Sequence, residues 1–208
     1  MRIGSVLLSV LTVLAPTVGP VGAAQASTGG GTPPAVSRPV AGDHGHSSER
    51  DALAQLVDLA AARIALADTV AAAKWGTHGA IDDPAREQVV LDAAAKGAAD
   101  RGIDPAVTAT VFRDQIEASK VVQYGLFSQW SAVPGDAPTE TPDLAAIRPQ
   151  LDAITGGLLD GLAATQDLRA DGSCGAALRS ARHDVERARK FDALHHRALG
   201  RALRSVCP

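Results

Sequence analysis

Residues 53–74 read LAQLVDLAAARIALADTVAAAK, a run without glycine or proline. Alternating steps of three and four pick out Leu53, Leu56, Ala60, Arg63, Ala67, Val70 and Lys74. That is the period of a helix face that buries itself against a neighbour. Two cations, Arg63 and Lys74, interrupt the apolar stripe. Desolvating an unpaired cation is very costly, so something anionic must meet them. Few acidic residues are placed to do this for both. A bound anionic small molecule is the other solution.

Working outward, helix signals recur and strand signals are nearly absent. Aromatic residues make up only 3% of the chain, alanine is abundant and β-branched residues rarely alternate. The first helix is expected from about residue 47 to Lys74, with Ser48 and Asp51 as a capping box and Gly76 and Gly79 ending it. Asp83-Pro84 and Asp104-Pro105 each pair an N-cap with proline at the first helical position. They open a second helix to about Arg101 and a third to about Trp130. Residues 132–142 (AVPGDAPTETP) read as a loop, a fourth helix follows over 143–168, and Asp171-Gly172-Ser173 breaks it. The last helix is expected over 173–206. No internal repeat and no second domain is evident, so the fold class is all-α, a helical bundle.

The chain ahead of the bundle has a different character. Arg2, the apolar run Val6–Leu14 and Ala24-Gln25-Ala26 have the layout of a cleavable export signal over residues 1–26. The apolar run is too short to span a membrane, so no membrane insertion is expected after cleavage. Residues 27–46 are rich in Gly, Pro and Ser and read as a flexible tether, leaving 47–208 as the folded domain.

Net charge of −3 argues against a nucleic-acid partner, which calls for a basic face. The basic stretch Arg179–Arg204 is interleaved with Asp184, Glu186 and Asp192, as on a solvated helix face. Cys174 and Cys207 are the two cysteines. An even count in an exported chain favours one disulfide, worth roughly 3–4 kcal/mol in the chain-entropy model. Their spacing fits neither zinc nor haem attachment. His44 and His46 lie in the tether, and the adjacent His195 and His196 point to different faces, so no metal is expected.

A second helix repeats the anomaly of the first. The stripe Phe112, Ile116, Ser119, Gln123, Leu126, Trp130 is broken by two polar residues one turn apart. They either pair with each other and the backbone inside the core, or face a site. Asp83, Arg86 and Glu87 share the first turn of the second helix, whose inward positions continue as Val90, Ala94 and Gly97. These charges are either a cap and a solvated turn, or a helix N-terminus aimed at an anion. Taken together, the inventory is cation-rich and lacks a hydrolase's nucleophile and base. It suits a small dianion held by its carboxylates.

The run Arg63–Lys74 (RIALADTVAAAK), then Asp83-Pro84-Ala85-Arg86-Glu87, then Ser119 and Gln123, resembles the AroQ-type chorismate mutases. The export signal, single domain and C-terminal cysteine pair, with the strings AAAKWGTHGAIDDPAREQ, FRDQIEAS and QYGLFSQW, are similar to the secreted, or gamma, subclass. The resemblance implies a helical domain of about six helices that forms a homodimer. It implies rearrangement of chorismate to prephenate, with no cofactor. By matching positions, Arg63 and Arg148 hold the two carboxylates with Arg86 in support, and Lys74 and Gln123 donate to the ether oxygen. Asp83 (largely by its backbone) and Glu87 meet the substrate hydroxyl, and Ser119 lines the pocket. Because Arg148 comes from the same chain, each subunit is expected to own a complete site.

Two positions depart from the pattern. Some secreted relatives have Glu where this chain has Gln123; an acid must be protonated to donate, whereas an amide donates at any pH. Some have Gln where this chain has Val90, which leaves Glu87 as the better candidate for the hydroxyl. The competing reading is a non-catalytic secreted helical module for a protein partner or a small aromatic acid. It expects the inward polar residues to be degraded or paired internally.

Overall fold

Asp43 to Thr77 form one helix, α1, thirty-five residues long, around which the other elements assemble. The computed structural model describes residues 43–208; the export signal expected over residues 1–26 and residues 27–42 of the expected tether lie outside them. Among the described residues seven α-helices follow one another: α1, α2 (Pro84–Ala99), α3 (Pro105–Ala132), α4 (Leu144–Ala164), α5 (Gln166–Ala170), α6 (Cys174–Arg189) and α7 (Ala193–Ala202). A 3₁₀ turn, Pro134–Asp136, precedes α4. The described residues contain no strand.

The proline-led starts of α2 and α3 form as expected. Asp83 accepts from the Arg86 amide at 3.0 Å, and Asp104 from those of Ala106 and Val107. Each cap satisfies N–H groups that the first turn leaves free, contributing about 1 kcal/mol. Asp143 does the same for α4 through the Ala145 amide at 2.8 Å.

Three boundaries differ from the sequence expectation. Residues 43–46 belong to α1 and not to the tether, so Ser48 lies inside the helix and caps nothing. Nothing stronger than Gly45 interrupts that stretch, a cost of about 1 kcal/mol. Glu49 also anchors it, accepting from the Leu168 amide of α5 at 3.1 Å. The expected fourth helix stops at Ala164, because Thr165 leaves helical geometry and turns its hydroxyl back to the Gly161 carbonyl at 2.7 Å. The expected last helix is two. Lys190 adopts left-handed backbone (φ 53°), its amide returns to Glu186 and Arg187, and Asp192 caps α7 through the His195 amide.

α1 packs against α3, α4 and α6, and α3 in turn against α2 and α7. Leu53, Leu56 and Ala60 of the sequence stripe are fully buried, with Phe112 of α3, Leu158 and Leu162 of α4 and Leu199 of α7. Each large aliphatic contributes roughly 1.5–3 kcal/mol by leaving water. In α2 the buried positions are Leu91, Ala94 and Ala98, flanked by Val90 and Gly97. α4 approaches α1 closely because Gly157 has no side chain; a Cβ there would sit 2.7 Å from Leu59. The Cys174–Cys207 disulfide joins the start of α6 to the C-terminal turn, closing a separation of 33 residues. It leaves no free cysteine among the described residues.

The far end of α1 is fixed by aromatics. Trp75 makes edge-to-face contacts with Phe127 and Trp130 of α3 at 5.1 and 5.5 Å. That sets the rotational phase of α1 one residue after Lys74. Gly76 lets Thr141 of the loop before α4 come against the same turn, which places the start of α4 beside it.

Candidate active site

Below the packed end of the bundle, the polar positions of the two stripes face one cavity of about 330 Å³, within the usual small-ligand range of roughly 300–1,000 Å³. α1 contributes Arg63, Leu66, Ala67, Val70 and Lys74; the α1–α2 turn contributes Ile81 and Asp83; α2 contributes Arg86, Glu87 and Val90. α3 adds Ile116, Ser119, Lys120 and Gln123, and α4 adds Arg148 among its lining residues. All eight residues named from the sequence (Arg63, Lys74, Asp83, Arg86, Glu87, Ser119, Gln123, Arg148) therefore come together. Every one of them is supplied by a single chain.

Three lining residues with polar side chains were not named. Lys120 lies one position off the apolar stripe of α3, where periodicity alone reads it as solvated. Asp152 and Thr155 fall one and two turns beyond Arg148 on α4, so that spacing is the signal that points to them.

The cations are poorly compensated. The guanidinium groups of Arg63, Arg86 and Arg148 have neither a hydrogen bond nor an ion pair among the described residues, and the Arg63 Nε is buried with no partner. Burial, reinforced by repulsion from Arg86 and only partly offset by Asp152, pulls the Arg63 guanidinium down to about 10. The Lys74 ammonium donates to the Ile81 carbonyl at 2.8 Å and has no carboxylate partner. Burial also lowers its pKa, against the attraction of Asp83, Asp82 and Glu87. An anion entering the cavity relieves both penalties.

The acids are occupied differently. Asp83 spends its carboxylate on the α2 cap. Glu87 accepts from Lys120 at 3.2 Å. Burial alone pulls the Lys120 ammonium down, but hydrogen bonds to Glu117, Asp82 and Glu87 outweigh it and the net shift is upward. Ser119 and Gln123 do pair, Nε2 donating to Ser119 Oγ at 3.1 Å, which is the plainer of the two expected outcomes. Yet Gln123 is 3% exposed and its Oε1 has no partner. A half-turn of the amide lets the Ser119 hydroxyl donate to Oε1 and frees Nε2 as a donor; amide orientation is set by such networks.

Five cations and three carboxylates line the cavity, a net charge of +2. No group of three or more His, Cys, Asp or Glu side chains among the described residues is placed to hold a metal ion. No described helix is long and apolar enough to cross a membrane.

Residues 51–124 match the family described as chorismate mutase type II. A secreted chorismate mutase of Mycobacterium tuberculosis is 39% identical over 155 residues, covering 74% of this chain and 78% of its own. The chain belongs to the chorismate mutases. A secreted chorismate mutase of Mycolicibacterium smegmatis is 38% identical over 164 residues, covering 79% of this chain and 91% of its own. Among solved structures, the chorismate mutase of Burkholderia thailandensis superposes with a TM-score of 0.72 at 41% identity, covering 75% of this chain and 99% of its own. Of the eight candidate residues, seven lie inside the segment that matches the chorismate mutase family; Arg148 lies beyond it, on α4.

Proposed function

We propose that this chorismate mutase is an exported enzyme that rearranges chorismate to prephenate in the cavity between α1, α2, α3 and α4. The carrying observation is the trio of unpartnered guanidiniums in a cavity of net charge +2, which matches a substrate with two carboxylates. Arg63 and Arg148 clamp those carboxylates bidentately, with Arg86 beside them, and so hold the enolpyruvyl ether side chain folded over the cyclohexadiene ring in a near-attack conformer. The ether C–O bond breaks as a C–C bond forms between the enolpyruvyl methylene carbon and the ring, an isomerisation with no leaving group. Negative charge develops on the ether oxygen in the transition state. Lys74 and the Gln123 amide donate there, and such contacts raise the rate because they are stronger in the transition state than before it. Glu87 and the Asp83 backbone receive the substrate hydroxyl, and Ser119 orients Gln123.

No covalent intermediate and no cofactor enters this scheme. A rate enhancement of about 10⁶-fold asks for about 8 kcal/mol from clamping and donors together. A non-catalytic binding module accounts for the arginines but gives Lys74 and Gln123 nothing to do. The secreted relatives and the layout of residues 1–26 support export. The homodimer implied by the resemblance would carry one such cavity per subunit.

Calorimetric titration with a bicyclic dicarboxylate analogue of the rearrangement transition state tests the scheme. We expect one site per chain and binding at least 10²-fold tighter than chorismate, the lower end for such analogues. Equal affinities, or binding unaffected by Gln123→Ala, would count against the donor roles.

A further inference from the structure

Lys120 has no role in the scheme above, yet it lines the cavity between Ser119 and Gln123 in sequence. Its ammonium donates to Asp82 Oδ1 at 3.0 Å and Glu87 Oε1 at 3.2 Å and is ion-paired with Glu117 Oε1 at 2.9 Å. With three carboxylates around it, this cation is engaged by protein groups and not by a substrate carboxylate. Its acceptors, however, belong to parts of the site. Glu87 lines the cavity from α2. Asp82 sits on the α1–α2 turn between Ile81, whose carbonyl takes the Lys74 ammonium, and Asp83, which caps α2. The Tyr124 hydroxyl, one turn beyond Lys120 on α3, donates to the other oxygen of Asp82.

The contact with Glu87 differs from an ordinary surface pair. Both side chains are only 16% exposed, where screening is weak, whereas solvent-exposed pairs contribute little. The other ion-pair partner of Glu87, Arg113, is a weaker hold: it stands 3.8 Å away and is half exposed. Without Lys120, Glu87 is left free to swing toward Arg113 and away from the cavity.

We infer that Lys120 is a positioning residue, which holds the Glu87 carboxylate at the cavity wall and ties the Asp82 turn to α3, so that Glu87 meets the substrate hydroxyl. This inference rests on the reading of Glu87 as the hydroxyl acceptor. A misplacement of about 1 Å at such a group can cost about 10²-fold in rate. Lys120→Met keeps the stem and removes the charge; Lys120→Arg keeps the charge.

The test is a double-mutant cycle on chorismate turnover with Lys120→Met, Glu87→Gln and both together, with helicity checked for each. Lys120→Met is expected to lower kcat/KM about 10- to 100-fold, with Lys120→Arg recovering most of it. In the Glu87→Gln background the same change should cost less than about threefold, since groups acting as a unit are not additive. With a chorismate analogue lacking the hydroxyl, Lys120→Met should again cost less than about threefold. If Lys120→Met fails to fold, Lys120→Gln takes its place in the same cycle. A full loss that persists in the Glu87→Gln background, or with the deoxy analogue, overturns the inference, because Lys120 then acts independently of Glu87. A damaged Glu87→Gln enzyme beside an intact Lys120→Met enzyme overturns it while sparing the role of Glu87. An intact Glu87→Gln enzyme overturns the role of Glu87 itself.

Discussion

Replacing Gln123 by glutamate exchanges an amide that donates at any pH for a carboxyl that donates only when protonated. One donor to a developing oxyanion is worth about 2.7–4 kcal/mol, or 10²–10³ in kcat, and Gln123→Ala should fall to that floor. An unperturbed glutamate titrates near 4.3, so at pH 7 about one molecule in 500 would carry the proton. Gln123→Glu would then sit close to the alanine floor. The site bends this in opposite directions. A side chain 3% exposed pushes its carboxyl up by desolvation, while Arg63 and Lys74 lining the same cavity pull it down. Either way, activity should drop tenfold per pH unit above the carboxyl's pKa until the floor is reached. Initial rates of chorismate loss between pH 4.5 and 8.5 give the two profiles. Wild type should be flat from about pH 5 to 8. A Gln123→Glu enzyme as fast as wild type at pH 8 would refute the donor role.

Four further outcomes follow from the same geometry. On the alkaline side, wild-type activity should fall below the titration range of a free lysine, because burial lowers the Lys74 ammonium; a pH–rate profile extended to pH 10.5 reads this. Because all eight candidate residues come from one chain, mixing Arg63→Ala with Arg148→Ala protein should give no recovery of activity, and complementation would point to a site shared between copies. Removing the disulfide with Cys174→Ser and Cys207→Ser should cost roughly 3–4 kcal/mol, lowering Tm by on the order of 10 °C in a thermal melt. His195 of α7 bridges Asp68 of α1 and Asp192, hydrogen bonds that raise its pKa to about 9 despite burial. Its stabilisation is full below about pH 6.5 and is lost as pH rises through about 9; because both partner carboxylates are exposed and screened, it amounts to about 1 kcal/mol. The stability gap between wild type and His195→Gln in urea melts should close over that window.

The lining of the candidate site was largely legible because its residues interrupt a period. Arg63 and Lys74 stand where α1 should be apolar, and Ser119 and Gln123 do the same on α3. The proline-led caps at Asp83 and Asp104 announce their helices locally. What periodicity cannot carry is pairing across the sequence. Lys120 meets Asp82 and Glu87, 38 and 33 positions away, and only the folding of α2 onto α3 brings them together. Arg148 carries no periodic signal of its own; family resemblance supplied it. The break between α6 and α7 was hidden because Lys190 takes left-handed backbone without the glycine that normally marks it.

The most direct test is turnover of chorismate by the purified, oxidised protein, followed by its absorbance and by prephenate formed, beside Arg63→Ala at matched helicity. We expect rapid conversion by the wild type and a loss of at least about 10²-fold in Arg63→Ala, since a misplaced substrate forfeits that much. Well-folded protein that leaves chorismate untouched, or an Arg63→Ala enzyme as fast as wild type, would contradict the assignment of this cavity as the place where the rearrangement occurs.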